Sequence, residues 1–335
     1  MRVAAFTDLS GPEGVSVLER PDPEPGPGEA VVDVEACAIN RHDLWILEGA
    51  SAMVDPGDLP FVAGLDAAGV VSAVGPDVDG VEAGDRVVLC PNETCGTCRF
   101  CREGPENTCE EFSLYHGGLA EKALVEADRL VARPDSLSAV DAAALPTAYM
   151  TALRMLDLAE VAAGDRVFVP GATGGVGVAA VQLADFRGAE TVGTSSSAEK
   201  LDRVRDLGLD RGIEAVEPDE IRAAVDGRVD AVVNHLGGEY TELGQSLLRR
   251  AGTMAVCGRT AGGRSEFKVA DLFLRHKRIV GTTMGTQGDL ERLVSLAADG
   301  TLGPAVDRTF SLEETGAAFA AMADRESVGK LVVTP

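Results

Sequence analysis

The chain has 335 residues, 45% of them apolar, which is enough for two domains with separate cores. Its 54 acidic residues against 30 basic ones give a net charge of −24, and such a surface repels nucleic acid. No stretch reaches the roughly 20 apolar residues of a membrane span. No apolar leader opens the chain, so we expect a cytoplasmic protein without a membrane partner.

The acidic residues are spread along the chain rather than gathered in a tail, and only five residues are lysine. A high salt concentration screens the self-repulsion of such a surface. We therefore interpret the composition as halophilic. An ordinary acidic protein is the alternative.

The first part of the chain alternates short apolar runs with turns rich in proline and glycine. Strands are predicted over Val15–Leu18 and Ala30–Val34, and the β pattern continues through Phe61–Val74 and Arg86–Leu89, broken by glycine-rich turns. This pattern predicts a β-rich domain of barrel or sandwich character.

From about Pro134 the pattern changes to helices that alternate with apolar strands. Ser138–Leu156 is predicted to be helical in two pieces around Pro146, and Gly238–Arg249 is predicted to be a helix. Apolar runs at Thr191–Gly193, Ala231–Val233, Thr253–Val256 and Ile279–Gly281 indicate strands. The alternation predicts an α/β fold with a doubly wound parallel sheet.

A glycine-rich turn follows the apolar run Val167–Val169 and leads into a helix that extends to about Arg187. Strand, glycine turn and helix in this order are typical of a site for a dinucleotide pyrophosphate. We expect Gly174 to adopt backbone angles closed to other residues and Gly177 to let the helix pack closely. The predicted cofactor contacts in this turn are Ala172, Thr173, Gly174, Gly175, Val176 and Gly177. Alanine replaces the first glycine of the usual motif, and a tight turn without a ligand is the alternative.

Four cysteines lie in a short segment within residues 90–110, with the spacing C-x2-C-x2-C-x7-C. They are Cys95, Cys98, Cys101 and Cys109. Four thiolates brought together by turns at Gly96 and Gly104 favour a closed, structural Zn²⁺ site. An iron–sulfur cluster and disulfides are the alternatives. Cys37, Cys90 and Cys257 are interpreted as ordinary buried thiols.

These motifs together resemble the medium-chain dehydrogenase/reductase superfamily over essentially the whole chain. The resemblance rests on the cysteine loop, Gly117–Glu121, the Leu145–Ala152 junction, Gly171–Gly177 and Gly329-Lys330. It implies a β-rich, GroES-like catalytic domain formed by residues 1–130 and 287–335. It also implies a Rossmann NADP-binding domain formed by residues 131–286.

The resemblance also shows what this chain lacks. Alcohol dehydrogenases of the superfamily hold a second, catalytic zinc, and the matching ligand positions here are Asn40, Leu65 and Thr147. An amide, an alkyl group and a hydroxyl are a poor set of zinc ligands. The alternative of metal binding through His42 and Asp43 is less favoured than a surface or core histidine.

Asn40 together with Asp43 resembles the zinc-independent quinone and enone reductases of the superfamily, and Trp45 falls where that branch often has an aromatic residue. We predict Asn40, Asp43 and Thr147 to be catalytic, with Trp45 and Leu65 in the substrate pocket. Asn40 and Thr147 would donate hydrogen bonds to the charge that develops on a carbonyl oxygen, assisted by Arg41 or His42.

The predicted activity is the NADPH-dependent reduction of quinones or α,β-unsaturated carbonyl compounds, either enones or enoyl thioesters, by hydride transfer without a catalytic zinc. An alcohol dehydrogenase with non-standard metal ligands is the first alternative. A nucleotide-binding protein without turnover is the second.

Cofactor preference is predicted from the end of the second strand of the nucleotide domain. No acidic residue stands there to bind a ribose hydroxyl, and Ser195, Ser196 and Lys200 suit a 2′-phosphate instead. Gly258 is a further predicted cofactor contact. The alternatives are a helix cap at Ser197 and a solvated helix face at Lys200.

The resemblance implies a homodimer formed through the edge strand near Ile279–Met284, or a tetramer built from two such dimers. The other expected partner is a small-molecule substrate.

Overall fold

The computed structural model describes the whole chain, residues 1–335. The strands are β1 Arg2–Phe6, β2 Val15–Glu19, β3 Glu29–Ala38, β4 Phe61–Val62, β5 Asp66–Val74, β6 Arg86–Leu89, β7 Asn92–Glu93, β8 Ser113–Leu114, β9 Lys122–Glu126, β10 Leu130–Ala132, β11 Arg166–Val169, β12 Glu190–Ser195, β13 Arg211–Glu214, β14 Val229–Asn234, β15 Leu248–Val256, β16 Arg278–Gly281, β17 Val306–Ser311 and β18 Lys330–Thr334. The α-helices are α1 Arg41–Leu47, α2 Arg99–Glu103, α3 Ala139–Ala143, α4 Thr151–Leu158, α5 Gly175–Phe186, α6 Ala198–Arg205, α7 Pro218–Ala224, α8 Tyr240–Leu247, α9 Val269–Leu274, α10 Gln287–Ala298 and α11 Thr315–Ala323.

The chain divides into two compact units. Unit 1 contains residues 1–147 and 286–335, and unit 2 contains residues 148–285. The boundary predicted after residue 130 is therefore too early, because α3 packs on β3 and β5 of unit 1. Helical spacing alone does not reveal which sheet a helix covers. The return to unit 1 occurs one residue before the predicted position.

Unit 1 is built on a mainly antiparallel sheet with the strand order β10-β6-β5-β3-β18-β17, and β9 also pairs with β3. The long central strand β3 is rich in valine and alanine, which suits a strand covered on both sides. The C-terminal strand β18 pairs with the end of β3, so that Val332 lies opposite Ala38. This pairing brings the last residues of the chain to the segment just before α1.

Unit 2 is built on a six-stranded sheet with the order β13-β12-β11-β14-β15-β16. Every pairing in this sheet is parallel, which confirms the predicted doubly wound architecture. The order reverses at β11, and right-handed crossovers then place helices on opposite faces. Ligands of such sheets bind beyond the carboxyl ends of the strands at this reversal.

Two predicted helices differ from the structure at particular points. The residues around Pro146 form one turn of π-helix over Pro146–Met150, between α3 and α4. The helix predicted to reach Arg249 ends at Leu247, since Leu248 is fully buried and pairs with Val229 as the first residue of β15. Tertiary pairing therefore overrides the helical pattern at this point. No helix is both long enough and apolar enough to cross a membrane.

Candidate active site and cysteine cluster

The candidate active site in unit 1 includes the start of α1, where Asp43 caps the helix. Asn40 precedes the first turn of α1, and its backbone N–H donates to the carboxylate of Asp43 at 2.8 Å. The same carboxylate accepts a second bond from the backbone N–H of Gly64 at 3.3 Å. Asp43 is fully buried, so these two bonds link α1 to the segment that leads into β5.

Asp66, the first residue of β5, is the centre of a buried polar network. One carboxylate oxygen accepts from the side-chain amide of Asn40 at 2.9 Å. The other accepts from the backbone N–H of Thr147 at 3.0 Å and from its hydroxyl at 2.6 Å. Asp66 is completely inaccessible to solvent, so its charge depends on these partners.

Lys330 supplies the positive charge of the network. Its ammonium group lies 3.1 Å from a carboxylate oxygen of Asp66 and 2.5 Å from the amide oxygen of Asn40. The third acceptor is the backbone carbonyl of Ile39 at 3.0 Å. All three protons of the buried ammonium therefore have partners, as a desolvated charge requires.

These residues do not fit a catalytic zinc. The oxygen of Asn40 is directed at an ammonium ion, the hydroxyl of Thr147 donates to Asp66, and Leu65 is a fully buried alkyl side chain. A divalent cation at this position would be repelled by the Lys330 ammonium and would lack a suitable set of donors.

The donor roles predicted for Asn40 and Thr147 need correction. The amide nitrogen of Asn40 already donates to Asp66 and, at 3.4 Å, to the carbonyl of Ala38. The hydroxyl proton of Thr147 is directed at Asp66. Neither side chain therefore offers a free proton to a substrate oxygen in this structure. The sequence did not reveal that Asp66 would accept from both.

Burial dominates the acid–base chemistry of this cluster. Desolvation raises the pKa of Asp43 from 3.8 to about 7, and the nearby carboxylate of Asp66 adds to this effect. The N–H bonds from Asn40 and Gly64 act in the opposite direction, because they stabilise the ionised form. The carboxyl group of Asp43 is therefore buried and has a pKa near neutral pH.

Two histidines lie next to this cluster. His42, in the first turn of α1, stacks on His116 with ring centroids 5.7 Å apart. Burial lowers the pKa of His116 to about 4, so its ring is neutral at pH 7. Its two nitrogens are buried and have no hydrogen-bond partner. Trp45, the predicted pocket residue, is partly exposed on the same helix.

The glycine-rich turn of unit 2 has the geometry of a phosphate-binding turn, although the glycine roles differ from the prediction. Gly171 has the positive φ of 66°, whereas Gly174 has an extended φ of −78° that any residue can adopt. A Cβ on Gly177 would lie 2.2 Å from the carbonyl oxygen of Gly171, so the close packing predicted there is confirmed. No side chain caps α5, which leaves the N–H groups of its first turn available to an anion.

The alanine that replaces the first glycine is accommodated by the neighbouring strand. Ala172 is fully buried, and a Cβ on Gly193 of β12 would lie 2.5 Å from the Ala172 methyl group. Gly193 thus leaves the space that Ala172 occupies.

The other predicted cofactor residues also follow carboxyl ends of strands in the unit 2 sheet. Ser195 ends β12, and its hydroxyl lies 3.3 Å from that of Thr173. Ser197 caps α6 by accepting from the backbone N–H of Lys200 at 3.3 Å, as the alternative interpretation expected. Gly258 follows β15 with a φ of 92°, and a Cβ there would lie 2.6 Å from the carbonyl of His235.

The four cysteines of the predicted metal loop come together in unit 1. Their sulfur atoms lie within 4.8 Å of one another, with close pairs at 3.5–3.9 Å. A tetrahedral zinc with bonds of about 2.3 Å places its sulfurs about 3.8 Å apart, so the donor set fits Zn²⁺. These separations exceed a disulfide bond of about 2.05 Å. Backbone N–H groups of Thr97 and Cys98 lower the pKa of Cys95 to about 6, which favours a thiolate ligand.

Of the remaining cysteines, Cys37 and Cys90 are buried as predicted, whereas Cys257 is only partly buried. Burial raises the pKa of the Cys90 thiol to about 12 and that of Cys257 to about 11. These thiols are therefore protonated near neutral pH.

A GroES-like unit with a four-cysteine loop, joined to a parallel sheet with a glycine turn, is the architecture of a two-domain oxidoreductase. Residues 26–135 match the family model of the alcohol dehydrogenase GroES-like domain, and residues 175–299 match that of the zinc-binding dehydrogenases. The chain belongs to the medium-chain dehydrogenase/reductase superfamily.

Two relatives are named for reduction of thioesters. A crotonyl-CoA reductase of Streptomyces avermitilis is 33% identical, over 89% of this chain and 77% of the relative. An acryloyl-coenzyme A reductase of Metallosphaera sedula is 30% identical, over 96% of this chain and 97% of the relative.

Two solved structures represent different activities on the same fold. An NAD-dependent alcohol dehydrogenase is 33% identical, with a TM-score of 0.90 and full coverage of both chains. The 2-octenoyl-CoA carboxylase reductase CinF, in complex with NADP and 2-octenoyl-CoA, is 26% identical, with a TM-score of 0.89 over 99% of this chain and 87% of that chain.

Proposed function

We propose that this protein reduces the activated carbon–carbon double bond of an α,β-unsaturated carbonyl compound, with NADPH as the hydride donor and without a catalytic metal. An enoyl thioester is the preferred substrate class, and a quinone or a simple enone is second. The relatives named for crotonyl-CoA and acryloyl-CoA reduction support the thioester.

The observation that carries the proposal is that Asn40 and Thr147, at two positions that would bind zinc in an alcohol dehydrogenase, are hydrogen-bonded to the Lys330–Asp66 ion pair instead. Oxidation of a simple alcohol passes through a developing alkoxide, which a Lewis acid stabilises. Reduction of a conjugated double bond places the developing charge on a carbonyl oxygen, which hydrogen bonds can stabilise. NADPH would supply the hydride to the β-carbon, and a proton taken up from solvent would complete the reduction at the α-carbon.

Within this proposal, Asn40, Asp43 and Thr147 orient the site, and the imidazole pair provides the donor to the substrate oxygen. His42 is the candidate donor, because Asn40 and Thr147 are committed to Asp66. The substitution His42→Phe should lower kcat while leaving the affinity for NADPH unchanged. An unaltered kcat would remove His42 from this role.

The finer features of the protein are part of the same proposal. Ser195, Ser196 and Lys200 support a preference for NADPH, and the CinF complex with NADP agrees with it. The cysteine geometry supports one structural zinc. Exposed apolar side chains on and before α9, close in sequence to the edge strand β16, support a homodimer; they are Phe267, Val269, Phe273 and Leu274. A cytoplasmic location is part of the proposal.

A panel of acceptors tests the activity. Purified protein is given NADPH with crotonyl-CoA, acryloyl-CoA or a benzoquinone, and in parallel NAD or NADP with ethanol. We expect rapid NADPH oxidation with an enoyl thioester and almost none with the alcohol. Activity should survive a chelator that leaves the cysteine-bound metal in place. Oxidation of ethanol that the chelator abolishes would contradict the proposal.

The alcohol dehydrogenase alternative rests on one specific observation. The solved NAD-dependent alcohol dehydrogenase is as similar in sequence as the crotonyl-CoA reductase, at 33% identity. A metal signal beside Asn40 and Thr147 in zinc-soaked crystals would favour this alternative. The same crystals without such a signal would favour the metal-free reductase.

A further inference from the structure

The end of β12 lacks an acidic residue, but the neighbouring strand supplies one. β13 runs parallel to β12, and their register places Glu214 opposite Ser195. The carboxylate of Glu214 accepts a hydrogen bond from the backbone N–H of Ala198, the first residue of α6, at 3.3 Å. A negative charge therefore lies beside Ser195 and Ser196, which were expected to contact a 2′-phosphate.

The N–H groups at the start of α6 are already shared among protein groups. Glu214 accepts from Ala198, and the hydroxyl of Ser197 accepts from Lys200 at 3.3 Å. A phosphate near these residues would be repelled by the carboxylate of Glu214. It would also lack the N–H group of Ala198, which already donates to Glu214. A ribose hydroxyl, in contrast, could donate to that carboxylate.

We propose that Glu214 is a specificity-determining residue for the cofactor, and that its carboxylate weakens the binding of NADPH relative to NADH. The inference deepens the proposed function, since it requires a nicotinamide dinucleotide at the carboxyl ends of β11 and β12. It does not require that NADPH be the preferred cofactor. Glu214 shifts the ratio of the two affinities towards NADH, whereas Ser195, Ser196 and Lys200 shift it towards NADPH.

The size of the effect follows from simple electrostatics. Without salt, a single charge about 6 Å from a nearly doubly charged phosphate in water changes the affinity about tenfold. Salt screens exposed charges over about 10 Å at 0.1 M and about 3 Å at 1 M. The effect of Glu214 should therefore be large in dilute buffer and small in molar salt.

The test is Glu214→Gln in the full-length protein, because the Gln amide oxygen can still accept from Ala198. Dissociation constants of NADPH and NADH are measured by nicotinamide fluorescence, in about 0.1 M and about 1 M KCl. In about 0.1 M KCl, where screening weakens the unscreened effect, we expect NADPH to bind about three- to fourfold more tightly to the variant, with less than about a twofold change for NADH. The gain should largely disappear in the higher salt.

The control is Glu217→Gln, which removes the same charge three residues further on, at the start of α7. It should leave the ratio of the two affinities unchanged. An unchanged ratio in Glu214→Gln, an equal gain for both cofactors or an equal gain in the control would overturn the inference. Failure of the wild-type protein to bind either cofactor would overturn it together with the proposed function.

One further outcome separates the two proposals. If the wild-type protein prefers NADH and Glu214→Gln shifts the ratio towards NADPH, the role of Glu214 stands and the proposed NADPH preference falls. Thermal melting of both variants at matched salt excludes a change in folding as the cause.

Discussion

At the scale of single residues, the candidate active site depends on one buried ion pair and its hydrogen bonds. Asp66 is fully buried and Lys330 is 3% exposed, so neither charge has water to compensate for a lost partner. Such a pair contributes little net stability as a whole, but removal of one member leaves the other charge uncompensated. Substitutions at this pair should therefore affect folding as well as catalysis.

The substitution Lys330→Met should lower the free energy of unfolding by about 3–5 kcal/mol, because Asp66 would remain buried without a counter-charge. Urea unfolding at matched salt measures the change. Lys122→Met is the control, since Lys122 pairs with Asp33 on the surface and such pairs contribute about 0–1 kcal/mol. Equal effects of the two substitutions would argue against a critical buried pair.

The second residue-scale prediction concerns Asp43, whose pKa rises on folding from 3.8 to about 7 because of burial. A folded-state pKa above the unfolded one means that the folded protein binds the proton more tightly. The contribution of Asp43 to stability is then complete below about pH 4 and is lost as the pH rises through about 7. The full change is on the order of 4 kcal/mol.

The variant Asp43→Asn removes this titration. The free energy of unfolding of the wild-type protein minus that of the variant should therefore decrease from about pH 4 to about pH 8. Urea titrations of both proteins across this range provide the measurement. A difference that does not vary with pH would show that burial does not perturb Asp43 in this way.

At the scale of elements, the turns and hydrogen bonds within the four-cysteine loop position its own sulfur atoms. The left-handed turns at Gly96 and Gly104 have φ values of 66° and 74°, and α2 begins directly after Cys98. Backbone N–H groups of Cys98, Cys95 and Glu111 point to the sulfur atoms of Cys95 and Cys109. Spacing, turns and hydrogen bonds therefore all favour one tetrahedral metal.

We predict that Cys98→Ser removes the bound metal, reducing zinc from one ion per chain to nearly none. Loss of a structural zinc should lower the melting temperature by about 10 °C or more, on a scale of about 2–4 °C per kcal/mol. Elemental analysis and thermal melts provide the measurements. Cys257→Ser, outside the cluster, should retain the metal. Two zinc ions per chain, or iron with sulfide, would refute the single zinc site.

At the scale of the whole molecule, the net charge of −24 is the dominant property. Many of the ion pairs are exposed, such as Arg86–Asp135 and Arg222–Asp219, and add little stability. The remaining excess of negative charge opposes compaction until counterions screen it.

If the composition is halophilic, the melting temperature should continue to rise with KCl beyond about 1 M, where simple screening is already nearly complete. Thermal melts over a KCl series measure this response. A neutral osmolyte at matched osmolality is the control for solute exclusion. A plateau below about 0.5 M would indicate an ordinary acidic protein.

The sequence determined the fold class and the cysteine cluster because both depend on local signals. Strand and helix periods, glycine turns and the cysteine spacing each act over a few residues, so they can be detected without the fold. Asn40 and Thr147 could likewise be singled out from a motif, although their partners could not.

Only the tertiary structure decided what these side chains bind. Lys330 and Asn40 are 290 positions apart, and β18 must pair with β3 before they meet. The space left by Gly193 for Ala172, and the approach of Glu214 to α6, depend in the same way on strand register. Hydrogen bonds and charge interactions act over a few ångströms in space regardless of separation in the chain, which is why Asn40 and Thr147 could be identified from the sequence but the roles of Asp66 and Lys330 could not.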